Sequence, residues 1–307
     1  MPIRIEWIDP NGEGAAVNVH RSLTPISETN LPAPITTVTG ATFYVDDTVV
    51  RNQLYYYRLS SLGKAGSNET IITPNKPIAY MPYTGPGPQT LLRGDWECGY
   101  FGRMSSASLI APNELMDFAG FSTAVEYVAT DLNEWLKFVY KGNIIFTPKY
   151  PVCGTLTWAS VYQAGLVYGD IPEAEWTAFA KSQYGVIPQK KRIAVGDHSF
   201  AIRNPTSRAN PLNTGTTLAD YIGGEWDQLF CLAGRTRLYP DVNGRGQVDD
   251  VDYPNFPSMT TNLTPTGGVI ARGQSGNNLG IDTVNTSIGH SAANPTLGWK
   301  PFLILDL

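Results

Sequence analysis

Charge is what this chain has least of. Asp, Glu, Lys and Arg make up 16% of its 307 residues, against about 25% in an ordinary soluble domain. The balance is mildly acidic, −5 at neutral pH, so nothing draws it to nucleic acid, whose binders cluster Lys and Arg. The densest basic run, Lys190-Lys191-Arg192, is short, lies beside Ile193 and Val195, and reads as a solvated strand end. Cysteine is scarce too. Cys98, Cys153 and Cys231 are three and far apart, which excludes a disulfide framework or zinc knuckle and suits buried thiols in a reducing compartment. No apolar run approaches the roughly 18 residues of a spanning helix, so no membrane insertion is expected. The opening MPIRIEWIDP reads as a strand rather than a charged-then-apolar leader.

Catalytic signatures are also missing. There is no Gly-x-Ser-x-Gly elbow and no phosphate-cradling Gly-Lys-Ser/Thr loop. His20, His198 and His290 have no near partner for a metal pair. Gly267-Gly268 and Arg272-Gly273-Gln274-Ser275-Gly276 read as turns. The sequence therefore assigns no catalytic residue and no cofactor-binding residue, and no enzyme activity is expected.

What the chain does have is 30 glycines and 23 prolines, which favour turns and short strands. The expected fold class is mainly β with short helices: a β-sandwich and an irregular α+β domain joined by a Pro/Gly-rich connector. In residues 1–75, Ile3, Ile5 and Trp7 alternate with Arg4 and Glu6, the period-two mark of a half-buried strand. Val17 and Val19 alternate with Asn18 and His20, and Phe43 and Val45 alternate again. The run 54–59 puts Tyr55, Tyr57 and Leu59 on one face, Tyr56 and Arg58 on the other. Strands at this spacing with turns between them indicate a sandwich.

IEWIDP, VNVHRS and TFYVDDTVVRNQLYYYRLSSLGKAGSN resemble a fibronectin type III domain from its second strand onward. The resemblance makes Trp7 the core tryptophan and Tyr55 the corner tyrosine of the sixth strand. Almost nothing precedes Ile3, so the usual first strand is expected to be missing. An uncovered sheet edge is a pairing template, and a neighbouring chain or segment is expected to cover it by strand addition.

Residues 76–126 read as connector and extension, beginning with the Pro- and Gly-rich NKPIAYMPYTGPGPQTLLRG. Pro112 can open a short helix. Ala124 to Tyr140 carries Val125, Val128, Leu132, Trp135, Leu136 and Val139 near helical spacing, with Lys141-Gly142-Asn143 ending the helix. Further helices are expected at Leu156–Gly165 and Glu173–Gln183, and a helical turn at Tyr221–Phe230. Strands are expected at Ile144–Phe146, Val186-Ile187, Arg192–Asp197 and Phe200–Arg203. Residues 240–298 read almost wholly as loop, far longer than usual and hence functional or disordered. The apolar end, Gly298–Leu307, is expected to return to the core as a strand and pin that loop.

The order WLKFVYKGNIIFTPKYPVCGTLTWASVYQAGLVYG, KKRIAVGDHSFAIR, EWDQLFC, long loop, GWKPFLILDL resembles a module of tailed-bacteriophage virion proteins. That module has a fold like the C-type lectin and formylglycine-generating-enzyme group. The resemblance covers residues 127–307 and implies a rigid body with a loop-built display surface. Tyr239, Tyr253, Asn255, Phe256, Arg272, Asn277 and Asn278 are the candidate binding residues, a mix suited to adaptable recognition. The plain alternative is a loop packed against a neighbouring subunit. Trp96 and Trp176 are the tryptophans open to sugar stacking; Trp7, Trp135, Trp158, Trp226 and Trp299 read as packing.

One segment partly imitates a calcium loop. Asp241, Asn243, Asp249 and Asp252 supply oxygen donors and Gly246 takes the turn position. Arg245 removes a ligand, Asp252 is shorter than the usual Glu, and no helix flanks the loop. A turn with solvated carboxylates competes with calcium as the sole cofactor in view.

Together these resemblances imply a structural protein of a tailed-phage virion, in neck, collar, tail, baseplate or fibre. It would be made in the host cytoplasm and would act by assembly with itself and other virion proteins and by surface display. Attachment to a host receptor or cell-surface glycan through 240–298 is the second reading. The third is an enzyme on the same fold, for which formylglycine-type chemistry lacks the C-terminal thiols.

Overall fold

The computed structural model describes residues 2–8, 15–62, 70–121, 134–210, 215, 217–233, 258–272, 284–291 and 297–307. The fold is mainly β with short helices. It divides into two compact units, Met1–Thr84 with Asp95–Glu97, and Gly85–Gly94 with Cys98–Leu307. No helix among the described residues is long and apolar enough to cross a membrane.

Unit 1 holds β1 (Ile3–Glu6), β2 (Val17–Ser22), β3 (Pro34–Val38), β4 (Phe43–Asp46), β5 (Leu54–Leu62), β6 (Thr70–Ile72) and β7 (Lys76–Ala79). β1 pairs with β4 in one small sheet. The second runs β3-β2-β5-β6, with β7 on the first half of β5. Burial alternates along β1 as its sequence does, Ile3 and Ile5 inward, Arg4 and Glu6 outward. Ile3 and Ile5 meet Val17, Val19, Tyr55, Tyr57 and Leu59 in one core between the sheets. Tyr55 also accepts a hydrogen bond from Val50 N–H at 2.9 Å, tying the corner before β5.

Tyr56 and Arg58, on the outer face of β5, are buried as well. The Pro-broken stretch after β2 crosses that face. Its Glu28 pairs with Arg58 at 3.1 Å, its Pro32 carbonyl takes His20 Nδ1 at 2.6 Å, and Asn75 bonds both the N–H and C=O of Ile26. Asp46 is fully buried beside Arg21, the Tyr57 hydroxyl and Thr48. Burial alone raises its pKa. Hydrogen bonds from Thr48 and Tyr57 and the charge of Arg21 outweigh that and hold the carboxyl below its usual range.

Unit 2 holds β8 (Arg93–Gly94), β9 (Cys98–Ser105), α1 (Pro112–Ala119), β10 (Glu134–Tyr140), β11 (Asn143–Pro148), α2 (Trp158–Gln163), α3 (Ala178–Tyr184), β12 (Arg192–Val195), β13 (His198–Arg203), β14 (Ser258–Leu263), β15 (Gly268–Arg272), β16 (Val284–Gly289) and β17 (Phe302–Leu305). Seven strands form one sheet in the order β12-β13-β17-β11-β10-β9-β8, and β14-β15-β16 form a second. The terminal strand β17 thus lies inside the large sheet, antiparallel to β13 and β11. One core cluster joins Tyr100, Leu136, Phe138 and Ile145 to Trp226, Leu229, Phe230 and Phe302.

Four expectations need correction. First, residues 76–126 are no free connector: Lys76–Ala79 completes the sheet of unit 1, and 85–94 and 98–121 build unit 2. Lys137, fully buried, donates to the carbonyls of Gly85 (3.4 Å), Pro86 (2.9 Å) and Pro88 (2.6 Å) and clamps the Pro-Gly stretch. Second, the helix expected to reach Tyr140 is a strand from Glu134 onward; residues 122–133 lie outside the described residues. Trp135 to Val139 are all buried, so the run has no polar face to set its period. Its β-branched and aromatic residues favour a strand. Lys141 (φ 49) and Gly142 (φ 80) close a two-residue hairpin to β11 where a helix end was expected.

Third, the expected helix Glu173–Gln183 is split. A short 3₁₀ turn ends at Trp176, whose backbone is extended (φ −73, ψ 148), before α3 begins. The Trp176 ring turns inward and stacks on Tyr168 with centroids 5.0 Å apart. Val186-Ile187, expected as a strand, is not one. Fourth, residues 258–263, 268–272 and 284–289 inside the supposed loop are strands. β14 is buried along its whole length, and its Ser, Thr and Asn bury without alternation, so no period reveals it. The helical turn expected over Tyr221–Phe230 is interrupted by extended Ile222 (φ −118, ψ 173) and resumes at Glu225, while α1 and α2 fall as expected. Pro112 opens α1, and Thr157 caps α2 by accepting Ser160 N–H at 2.9 Å. Gly165 (φ +76) follows α2, where a Cβ would stand 2.6 Å from the Pro188 carbonyl.

Candidate functional site

Two concavities carry the chemistry, one in each unit. In unit 1 a groove of about 300 Å³ runs beside β1, lined by Ile5, Trp7, Tyr57, Leu59 and the 73–76 turn. β1 has β4 as its neighbour on one side, and among the described residues no strand pairs with its other side. Trp7 N–H bonds to Thr42 C=O at 3.0 Å. Because antiparallel ladders alternate, Ile3, Ile5 and Trp7 bond toward β4, while the N–H and C=O of Arg4 and Glu6 face outward. The buried Trp7 Nε1 has no acceptor among the described residues.

In unit 2 a cleft of about 190 Å³ opens where β13 ends. Arg203 is the last residue of β13, and its buried guanidinium makes a two-pronged ion pair with Glu225, one prong at 2.5 Å. Glu225 also accepts Thr206 N–H at 3.0 Å and returns a bond through its own N–H to Thr206 Oγ1 at 3.1 Å. Gly224 lies against the 206–207 backbone so closely that a Cβ would sit 2.5 Å from the Ser207 carbonyl carbon, and glycine alone fits. Asn262 of β14 accepts Ser207 N–H at 2.9 Å. Just beyond, Asp227 begins a π-helix, Asp227–Ala233, and grips Arg272 through both carboxylate oxygens. π-helical turns occur disproportionately at functional sites. Arg208 lines the cleft. Burial lowers its pKa from the usual arginine value, and Tyr221 and Asp220 raise it part of the way back.

The residues singled out in the sequence fall elsewhere. Asp241, Asn243, Asp249 and Asp252 lie outside the described residues, as do Tyr239, Tyr253, Asn255, Phe256, Asn277 and Asn278. Arg272 is no display residue: it is 0% exposed, because its charge is spent on Asp227 beneath the cleft. Trp176 is 8% exposed and stacked, so no sugar reaches its face; Trp96 is half-buried. Among the described residues no group of three or more His, Cys, Asp or Glu is placed to hold a metal ion. His20 bonds Pro32 and Ser60, and His290 packs between Phe179 and Tyr184.

Arg203, Arg208, Glu225 and Asn262 were missed as site residues. A signal existed in Arg203, a charge ending the apolar run Phe200-Ala201-Ile202, but nothing in spacing joins it to Glu225 or Asn262. No protein family, no curated protein and no solved structure matches this chain.

Proposed function

We propose that this chain is a structural component of a tailed-phage virion, acting by assembly of its own copies and by surface display. The observation that carries the reading is the open side of β1 beside an apolar groove. Unpaired N–H and C=O groups in a row bind another extended strand, and Ile5, Trp7, Tyr57 and Leu59 offer that strand an apolar floor. The occupant is a strand from a second copy. The low charge fits a subunit largely covered by its neighbours. Attachment to a host-surface glycan or receptor is the second reading, favoured by the polar cleft of unit 2.

Proline at position 6 removes an outward N–H without touching the bonds to β4, and proline is tolerated at sheet edges. Light scattering on the intact chain is expected to give a mass of several copies, and Glu6→Pro a single copy with a melting temperature within a few degrees. A wild-type monomer at every concentration, or a Glu6→Pro chain that assembles like wild type, overturns the proposal.

A further inference from the structure

Four arginines are buried among the described residues: Arg58, Arg203, Arg208 and Arg272. Three face a carboxylate, Arg58 that of Glu28, Arg203 that of Glu225 and Arg272 that of Asp227. Arg208, 4% exposed, has none within ion-pair distance among the described residues. Its Nη2 reaches the Gly215 carbonyl at 3.3 Å, the Tyr221 ring lies 4.8 Å from its Cζ, and its buried Nε finds no acceptor among the described residues. Asp220 and Tyr221 offset only part of what burial costs this charge, and a desolvated charge so weakly compensated is costly to keep. An incoming anion removes that cost.

The rest of the cleft narrows the anion's chemistry. Lys141 stands at its rim, Glu175 lines it, and Arg203 and Glu225 neutralise each other. The balance is one positive charge, with carboxylates on the wall. A bare dianion meets those carboxylates unfavourably, whereas hydroxyl groups donate to them. Thr206, whose Oγ1 accepts Glu225 N–H at 3.1 Å, keeps its hydroxyl hydrogen to donate. Asn262, its carbonyl oxygen already engaged by Ser207 N–H, presents its amide nitrogen as a donor. At about 190 Å³ the space is below the ~300–1,000 Å³ of drug-sized sites and suits one ring.

We propose that this cleft binds a sugar acid, its carboxylate on Arg208 and its ring hydroxyls on Glu175, Thr206 and Asn262. The inference stands on the cleft alone and does not depend on assembly through β1.

Titration of the intact chain with glucuronate, glucose and inorganic phosphate, followed by ligand-observed NMR and calorimetry, tests it. Glucuronate is expected to bind at least about tenfold more tightly than glucose or phosphate, the loss a charged hydrogen bond commonly entails. Arg208→Gln is expected to weaken glucuronate by about the same factor. Arg208→Lys, which keeps the charge without the planar fork, is expected to fall between. Should Arg208→Gln fail to fold, the lysine variant and the exposed Lys141→Ala carry the test, both predicting weaker glucuronate binding. Phosphate binding as tightly as glucuronate makes the cleft a bare anion hole and overturns the proposal. So do glucose binding equally well, no binding at ~10 mM, and binding indifferent to Arg208. Repeating the titration on Glu6→Pro separates the cleft from assembly, since binding is expected to survive there.

Discussion

Deleting residues 300–307 is expected to abolish the cooperative melting of unit 2. The last strand is an interior member of the seven-stranded sheet. Phe302 to Leu305 pair with Arg203 to Phe200 on one side, and Leu303 and Ile304 with Phe146 and Ile145 on the other. Their removal leaves two interior strands without a partner between them and strips out buried Phe302, Leu303 and Leu305. Each such side chain contributes about 1.5–3 kcal/mol, and a domain's whole margin is about 5–15 kcal/mol. Broken ladder bonds add to the loss, so the deletion exceeds what the unit can absorb. Limited proteolysis and circular dichroism on the truncated chain check this. A truncated protein that melts and resists protease like the intact one contradicts the central position of β17.

Lys137→Met is the second large effect. Methionine fills a similar volume and spares the desolvation of a charge, but it leaves the carbonyls of Pro86 and Pro88 without their donor, while Gly85 keeps the amide of Gln89 at 2.7 Å. Unsatisfied buried acceptors cost about 1–3 kcal/mol each, so the loss wins, by about 3 kcal/mol after the offset. For a unit of this size that lowers the melting temperature by roughly 6–12 °C, and the first new protease cuts should fall within 85–94. Retention of full stability would mean the clamp holds nothing.

The same lysine sets a pH dependence. Burial pushes the Lys137 ammonium down to about 7, and burial with the nearby Lys149 charge does the same to Lys300. An unfolded lysine keeps its proton to about pH 10.4. Between these values the unfolded chain binds more protons, so the free energy of unfolding rises with pH. Melting of unit 2 is expected to climb by several degrees from about pH 6.5 to about pH 9.5, with Lys137→Met losing part of the climb. A flat or falling profile would refute it.

Local patterns carried far where one face of an element is wet. The alternation of Ile3, Ile5 and Trp7 with Arg4 and Glu6 marked β1, Pro112 marked the start of α1, and Gly165 marked the end of α2. Where an element is buried on every side, polarity has no period to follow. Trp135 to Val139 therefore resembled a helix, and the Ser/Thr-rich β14 resembled a loop. Trp176 broke a helix for a reason no local signal holds, its stacking partner Tyr168.

Composition and turn chemistry were enough to make this a mainly β chain of two units ending in a core strand, since short-range sterics and burial period act between residues close in sequence. The cleft is of another kind. Arg203, Glu225 and Asn262 come from three separate stretches, and whether a buried arginine is neutralised depends on which distant carboxylate the packing delivers to it. Arg272 received Asp227 as a direct ion pair, whereas no carboxylate among the described residues comes within ion-pair distance of Arg208. Charge pairing across such distances is decided by packing, which is why Arg272 read as a surface residue and Arg208 went unnoticed until the chain was folded.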